Sequence, residues 1–333
     1  MRASLIFWLL ALAVAVLFTI DMMVGSVALS PAEVWNAVLG NEAASTVKIV
    51  RHIRLIKAIV AILAGAALSV SGLEMQTLFR NPLAGPYVLG ITSGASLGVA
   101  LFILGAPLWA AIGLQSAGIT SLGIAGAAWI GAALILALIA AIGSRIKDIM
   151  IILILGMMFS SGVAAVVQIL QYLSHEDALK SYVMWTMGSL GEVTASQLCI
   201  LAPAVVAGLV IAIVVIKPLN LLLLGERYAV TMGLDVKRSR SLIFLSTTLL
   251  AGTITAFCGP IGFIGLAVPH VARALFANAN CRILMPATLM LGMALMLACD
   301  IAAKALALPI NSITALLGIP VVVWIVIKRS SLY

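Results

Sequence analysis

Glu74, Asp300 and Lys304 are ionisable side chains set within long runs of Leu, Ile, Val and Ala. A carboxyl in such a run is costly and usually faces a cavity, where it can carry a proton or a cation, so Glu74 is a candidate for that chemistry. Asp300 and Lys304 stand four apart and can pair on one helix face, a structural use. Two frames for hydrolytic chemistry are absent: the chain has no GxxxxGK[ST] loop and no HExxH. His175-Glu176-Asp177 reads as a solvated outer-loop cluster rather than a metal site. Cys199, Cys258, Cys281 and Cys299 lack ligand-like spacing and read as small buried hydrophobes. No constellation activates water or a nucleophile, which points away from catalysis and from a metal in this chain.

The elements that must hold these residues are membrane helices. Of 333 residues, 64% are hydrophobic and 9% charged, and the mean hydropathy is +1.25; a soluble fold could not hide that much apolar surface. The net charge of +8 does not indicate nucleic acid, because no basic run is interleaved with aromatics. Apolar runs place spans near 5–24, 55–78, 87–105, 119–142, 149–172, 196–216, 241–258, 262–277, 283–304 and 313–327. The expected fold is an all-α integral membrane protein of about ten transmembrane helices in one domain, 1–333. Leu5 to Ile20 reads as the first span, since no small-residue cleavage site follows it. With both termini cytoplasmic, Arg145, Lys147 and most other cations lie inside, and six of the 19 Lys and Arg face outward: Lys48, Arg51, Arg54, Lys57, Lys180 and Lys304. Those outward cations either snorkel from helix ends or have anionic company.

Four polar interruptions stand out. In RNPLAGPYVLGITSGAS, Arg80 to Ser96, Pro82 and Pro86 force a short stiff turn between two spans. Asn81 there is a candidate pathway residue, or the stretch is a plain inner-face turn. GPIGFIGLAVPH, Gly259 to His270, ends one span and bares one face of the next with Gly262 and Gly265; His270 reads as a helix-end hydrogen-bonder. In LGERYAVTMGLDVKRSRS, Glu226 suits a helix start, Gly233 a helix end and Asp235 an N-cap. Ala229, Met232 and Leu234 offer an apolar knob rimmed by Arg227, Lys237, Arg238 and Arg240, for a partner groove or for anionic lipid. On the outer side, Ser30 to Leu39 reads as a capped interfacial helix and Ser181 to Leu190 as an interfacial or re-entrant half-helix anchored by Tyr182 and Trp185. Gly90, Gly94 and Gly98, and Gly123, Ala127 and Gly131, make small-residue faces that let helices approach closely.

Gln76 with RNPLAGPYVLGITSGAS, then MWTMGSLG, LGERYAVTMGLDV, GPIGFIGLAVPHVAR and the tail from Asp300 to Trp324 stand in an order that resembles the permease subunit of ABC importers for iron siderophores, heme and cobalamin. The resemblance implies a homodimer with short half-helices in two inverted halves, in the bacterial cytoplasmic membrane. It further implies two cytoplasmic ATPase subunits, which bind ATP and Mg, and an external substrate-binding protein, with no cofactor in this chain. It assigns Asn81 and Leu83 to a cytoplasmic gate. The loop 217–240 becomes the ATPase-coupling segment, with Leu224, Gly225, Glu226, Arg227, Ala229 and Gly233 in it. Arg51, Arg54 and Lys304 become contacts to the binding protein. Two departures are visible: Arg51-His52-Ile53-Arg54 replaces Arg-Leu-Pro-Arg, and Asn311 stands where glycine is common, a residue that tolerates positive φ. The alternative is a secondary transporter coupled to protons or cations through Glu74.

Overall fold

The computed structural model describes residues 2–25, 27–105, 121–143, 146 and 149–330. Arg145 and Lys147 lie outside the described residues. Every element among the described residues is helical. The helices are α1 (Arg2–Met23), α2 (Pro31–Leu39), α3 (Ala44–Ile49), α4 (Leu55–Leu78), α5 (Ile91–Ile103), α6 (Ser121–Gly143), α7 (Ile149–Leu173) and α8 (Glu176–Thr186). They continue with α9 (Ala195–Val214), α10 (Ile216–Leu223), α11 (Glu226–Thr231), α12 (Val236–Thr247), α13 (Thr253–Cys258), α14 (Ile264–Phe276), α15 (Cys281–Leu306) and α16 (Ile310–Ser330). Among the described residues, seven helical stretches are long and apolar enough to cross a membrane. Three more, Ile91–Ile103, Ile264–Phe276 and Ile310–Val323, are apolar but shorter. Together they stand at the ten expected positions. At 1.5 Å per residue a 13-residue helix reaches about 20 Å, short of the hydrocarbon thickness, so α5 and α14 are half-helices.

The second span differs from its expectation. A five-residue π turn, Val50–Arg54, joins α3 to α4 without interruption, giving a helix of 35 residues from Ala44 to Leu78. That is about 52 Å, well beyond the hydrocarbon core. Arg51 and Arg54 therefore stand on a helix and not in an entry loop. From Ala64 to Phe79 every residue of this stretch is buried, so α4 is the axis around which α9, α12, α14 and α15 pack.

Helices reach that axis through small residues. A Cβ on Gly65 would run into the backbone of Gly292 on α15, and one on Gly94 into the backbone of Gly131 on α6. Close backbone approach of this kind replaces the hydrophobic driving force that lipid removes. α1 keeps Leu5, Trp8, Leu9 and Leu12 exposed, an apolar surface suited to lipid.

Several local expectations change. The outer half-helix runs over Glu176–Thr186, with His175 at its N-cap and Glu176 and Asp177 in its first turn. Acids at a helix start complement its dipole, so this cluster is a helix terminus and not a loop. Tyr182 is buried rather than interfacial. In the tail turn the positive φ falls on Ala307, at 52°; Asn311 lies inside α16 and its Oδ1 accepts from the Gly262 amide at 3.0 Å. Cys258, Cys281 and Cys299 are buried as expected, whereas Cys199 is exposed.

Candidate functional site

The break between α4 and α5 is built by residues that cannot continue a helix. Arg80 takes φ 49°, a left-handed conformation unusual for a non-glycine residue. Asn81 is half-buried, and its Oδ1 accepts from the Leu83 amide at 2.9 Å, an Asx turn that closes the loop on itself. Leu83 is 51% exposed, an apolar side chain at the loop's tip. Ala84, Gly85 and Pro86 are buried behind it. A single 3₁₀ turn, Pro86–Leu89, leads through Gly90 into α5.

Adjacent to this loop is a cavity of ≈ 620 Å³ lined by Tyr87, Thr92, Ser93, Ser160, Phe263 and Asn311 among others. Its wall carries hydroxyls and an amide and no charged group. A second cavity, ≈ 980 Å³, is lined by Arg80, Ile149 and the segment Leu224 to Tyr228 with Val230. Arg80 thus joins the loop to the segment 217–240.

That segment folds as anticipated in outline. α10, α11 and α12 follow one another with breaks at Gly225, φ 115°, and Gly233, φ 80°. Asp235 caps α12, accepting from the Arg238 amide at 3.0 Å. Arg240 donates to Glu226 at 2.7 Å and fastens α12 to the start of α11. The apolar knob is composed differently from expectation. Ala229 is fully buried against the bundle, and Leu234 is partly covered. Leu224, Tyr228, Val230 and Met232 are the exposed apolar side chains, between about half and two thirds accessible. On a helix of under two turns, the residues one position either side of Ala229, Tyr228 and Val230, point away from the bundle, while Leu224 and Met232 stand exposed just beyond the two ends of α11.

The cations expected on the outer side find company inside the chain. Arg54 is buried; its Nη1 donates to the carbonyls of Met22 and Met23, both at 2.9 Å, and its Nη2 to Val27. The carbonyls of Met22 and Met23 are the C-terminal end of α1, where a cation also meets the negative pole of the helix dipole. Arg51 is exposed and donates from Nε and Nη2 to the Val38 carbonyl, at 3.1 and 2.6 Å, at the end of α2. Lys304 is 9% exposed and bridges Asp21 at 2.7 Å and Asp300 at 2.8 Å, while Lys57 bridges Asp300 at 3.0 Å. Two lysines and two aspartates form one chain of charges across α1, α4 and α15. Asp21, fully buried, escaped the sequence reading because it ends an apolar run like any interfacial residue; its place two residues before the end of a span was the available signal. Beyond these helices, Ser30 and Glu33 close a capping box on α2, and hydrogen bonds from Ser30 hold the Glu33 carboxyl below its ordinary range.

Glu74 is fully buried and lines neither of these two cavities. Its oxygens accept from Ser246 at 2.7 Å and Thr247 at 2.9 Å, two hydroxyls of α12. Among the described residues no cation pairs with it. No group of three potential metal ligands occurs among the described residues.

Residues 12–328 match the FecCD transport family. The chain is 32% identical to the hemin transport system permease protein HmuU of Yersinia pestis, covering 98% of this chain and 96% of that protein. It is 34% identical to the vitamin B12 import system permease protein BtuC of Klebsiella pneumoniae subsp. pneumoniae, covering 96% and 93%. A solved structure described as a metal-chelate type ABC transporter in an inward-facing conformation superposes with a TM-score of 0.84 at 29% identity, covering 97% of this chain and 99% of that one. A bundle that is all-helical among the described residues, with these broken helices and a family match over residues 12–328, places the chain in the FecCD transport family.

Proposed function

We propose that this chain is the pore-forming permease subunit of an ATP-driven importer that moves an iron siderophore, heme or cobalamin across the bacterial cytoplasmic membrane. It works as a homodimer in membrane lipid with both termini cytoplasmic. Two cytoplasmic ATPase subunits bind ATP and Mg, and an external binding protein delivers the cargo. The observation that carries the reading is the segment 224–232: of its four exposed apolar side chains, Leu224, Tyr228 and Val230 line a cavity whose wall also includes Arg80 of the loop holding Leu83. An ATPase gripping Leu224, Gly225, Glu226, Arg227 and the outward neighbours of Ala229 pulls on the gate loop through that shared wall, as a rigid-body motion. Asn81 and Leu83 close the cytoplasmic end of the pathway, and the neutral cavity above them holds cargo in transit. On the outer face Arg51 offers charge to the binding protein, while Arg54 and Lys304 fix the helix ends that shape the docking surface. The named cargoes of the relatives, hemin and vitamin B12, support the cargo class.

The test is uptake of hemin or cobalamin into proteoliposomes holding permease, ATPase and binding protein. Orthovanadate is expected to abolish uptake and a protonophore to leave it intact. Uptake that resists vanadate and collapses with the protonophore would instead establish proton coupling, for which Glu74 is the candidate carrier.

A further inference from the structure

The loop carrying Asn81 and Leu83 is fastened to a helix with no assigned part in transport. α14 runs beside α4, and its last turns present His270 and Arg273. His270 Nε2 lies 2.7 Å from the Pro82 carbonyl. A carbonyl only accepts, so in this contact Nε2 carries the proton and donates. Arg273 Nη1 donates to Gln76 Oε1 at 2.6 Å, and Gln76 Nε2 donates to the Leu266 carbonyl at 3.0 Å. Gln76 is thereby held between two turns of α14, two residues before α4 ends at Leu78. On the far side of the loop, the Tyr87 hydroxyl donates to the Ile261 carbonyl. Proline has no amide proton, so the carbonyl of Pro82 is its one backbone handle, and α14 holds it.

We propose that His270 is a positioning residue for the cytoplasmic gate. Its ring holds Pro82, and so sets the depth of Asn81 and Leu83, while Arg273 and Gln76 fix the end of α4 from which the loop springs. Tilting of α14 then moves the loop tip directly, without unfolding either neighbour. The inference rests on reading Asn81 and Leu83 as the gate, yet the suspension of the loop can be tested separately.

The experiment places a nitroxide on Leu83→Cys in the full-length chain with Cys199→Ser, reconstituted in lipid nanodiscs; the other three cysteines are buried. In the parent the continuous-wave spectrum is expected to be dominated by the immobile component. With His270→Leu the ratio of mobile to immobile spins is expected to rise about fivefold, the shift one ordinary hydrogen bond supports. His270→Gln, whose amide can donate to the same carbonyl, restores the parent spectrum. Arg273→Met gives a second route to the same rise if His270→Leu does not elute and melt like the parent. A parent-like spectrum in His270→Leu and Arg273→Met, or no recovery in His270→Gln, overturns the proposal. Quenching of encapsulated calcein by external cobalt in proteoliposomes then separates the two readings. Faster quenching in His270→Leu supports the gate. A mobile loop in a vesicle as tight as the parent's leaves the suspension intact and removes the gate assignment.

Discussion

Lys304 Nζ on α15 lies 2.7 Å from Asp21 Oδ1 at the end of α1, with the lysine 9% and the aspartate 0% exposed. The pair ties a helix whose outer side faces lipid to the central bundle, and Asp300 and Lys57 extend it to α4. Removing one partner of a buried pair leaves an uncompensated charge, which typically costs about 3–5 kcal/mol. Lys304→Met is expected to lower stability by about that much in thermal unfolding of the detergent-solubilised protein. Adding Asp21→Asn to it should recover part of the loss, because residues in one network are not additive. Strict additivity would mean that the two charges do not interact.

Gly65 and Gly292 cross where α4 meets α15, and neither has room for a methyl group. Gly65→Ala must push the helices apart and is expected to cost roughly 1–3 kcal/mol as overpacking. Gly162, with open space around its Cα, is the control, and Gly162→Ala should leave the melting temperature unchanged or slightly raised. Equal effects at the two positions would deny that close approach builds the core.

At Gly233 space is open and only the conformation is restrictive, φ 80°. Gly233→Asn should be tolerated, Gly233→Ala should cost about 1 kcal/mol, and Gly233→Pro should displace α11 while the membrane helices insert normally. Co-purification with the ATPase is the readout for the last variant. Normal recovery of the ATPase would count against the coupling assignment, as would normal recovery with Tyr228→Asp and Val230→Asp together.

Arg51 holds the end of α2 from an exposed position, so charge reversal there acts on a surface group. Arg51→Glu is expected to weaken binding-protein affinity several-fold at low salt, with the difference shrinking as ionic strength rises. Arg54→Glu, by contrast, should reduce folding yield, since it places a carboxylate against the carbonyls of Met22 and Met23. Wild-type affinity in Arg51→Glu at every salt concentration would remove the docking role.

Glu74→Gln tests the rival mode of energy coupling. The amide retains an acceptor for Ser246 or Thr247 and has the same shape, so a packing role predicts uptake within about twofold of the parent. A proton- or cation-carrying role predicts loss of uptake, because glutamine cannot take up a charge at that site.

Much of this protein follows from local chemistry. Apolar runs near the hydrocarbon thickness dictated ten helices, Pro82 and Pro86 dictated the break after Arg80, and Ser30, Gly233 and Asp235 marked helix ends, because span length, missing donors and capping act within a few residues. What the tertiary structure decided is where charge and exposure go. Arg54 and Lys304 look like surface cations in sequence, yet Arg54 closes the end of a helix 32 residues earlier and Lys304 meets an aspartate 283 residues earlier. The exposed knob excludes Ala229 because a short helix presents whichever face the bundle leaves uncovered. His270 reads as a helix-end donor, and its acceptor, Pro82, is 188 residues away. Such partners are chosen by packing across the bundle, and a buried charge or donor takes whatever acceptor the fold brings within reach, since leaving it unmet costs more than any local preference.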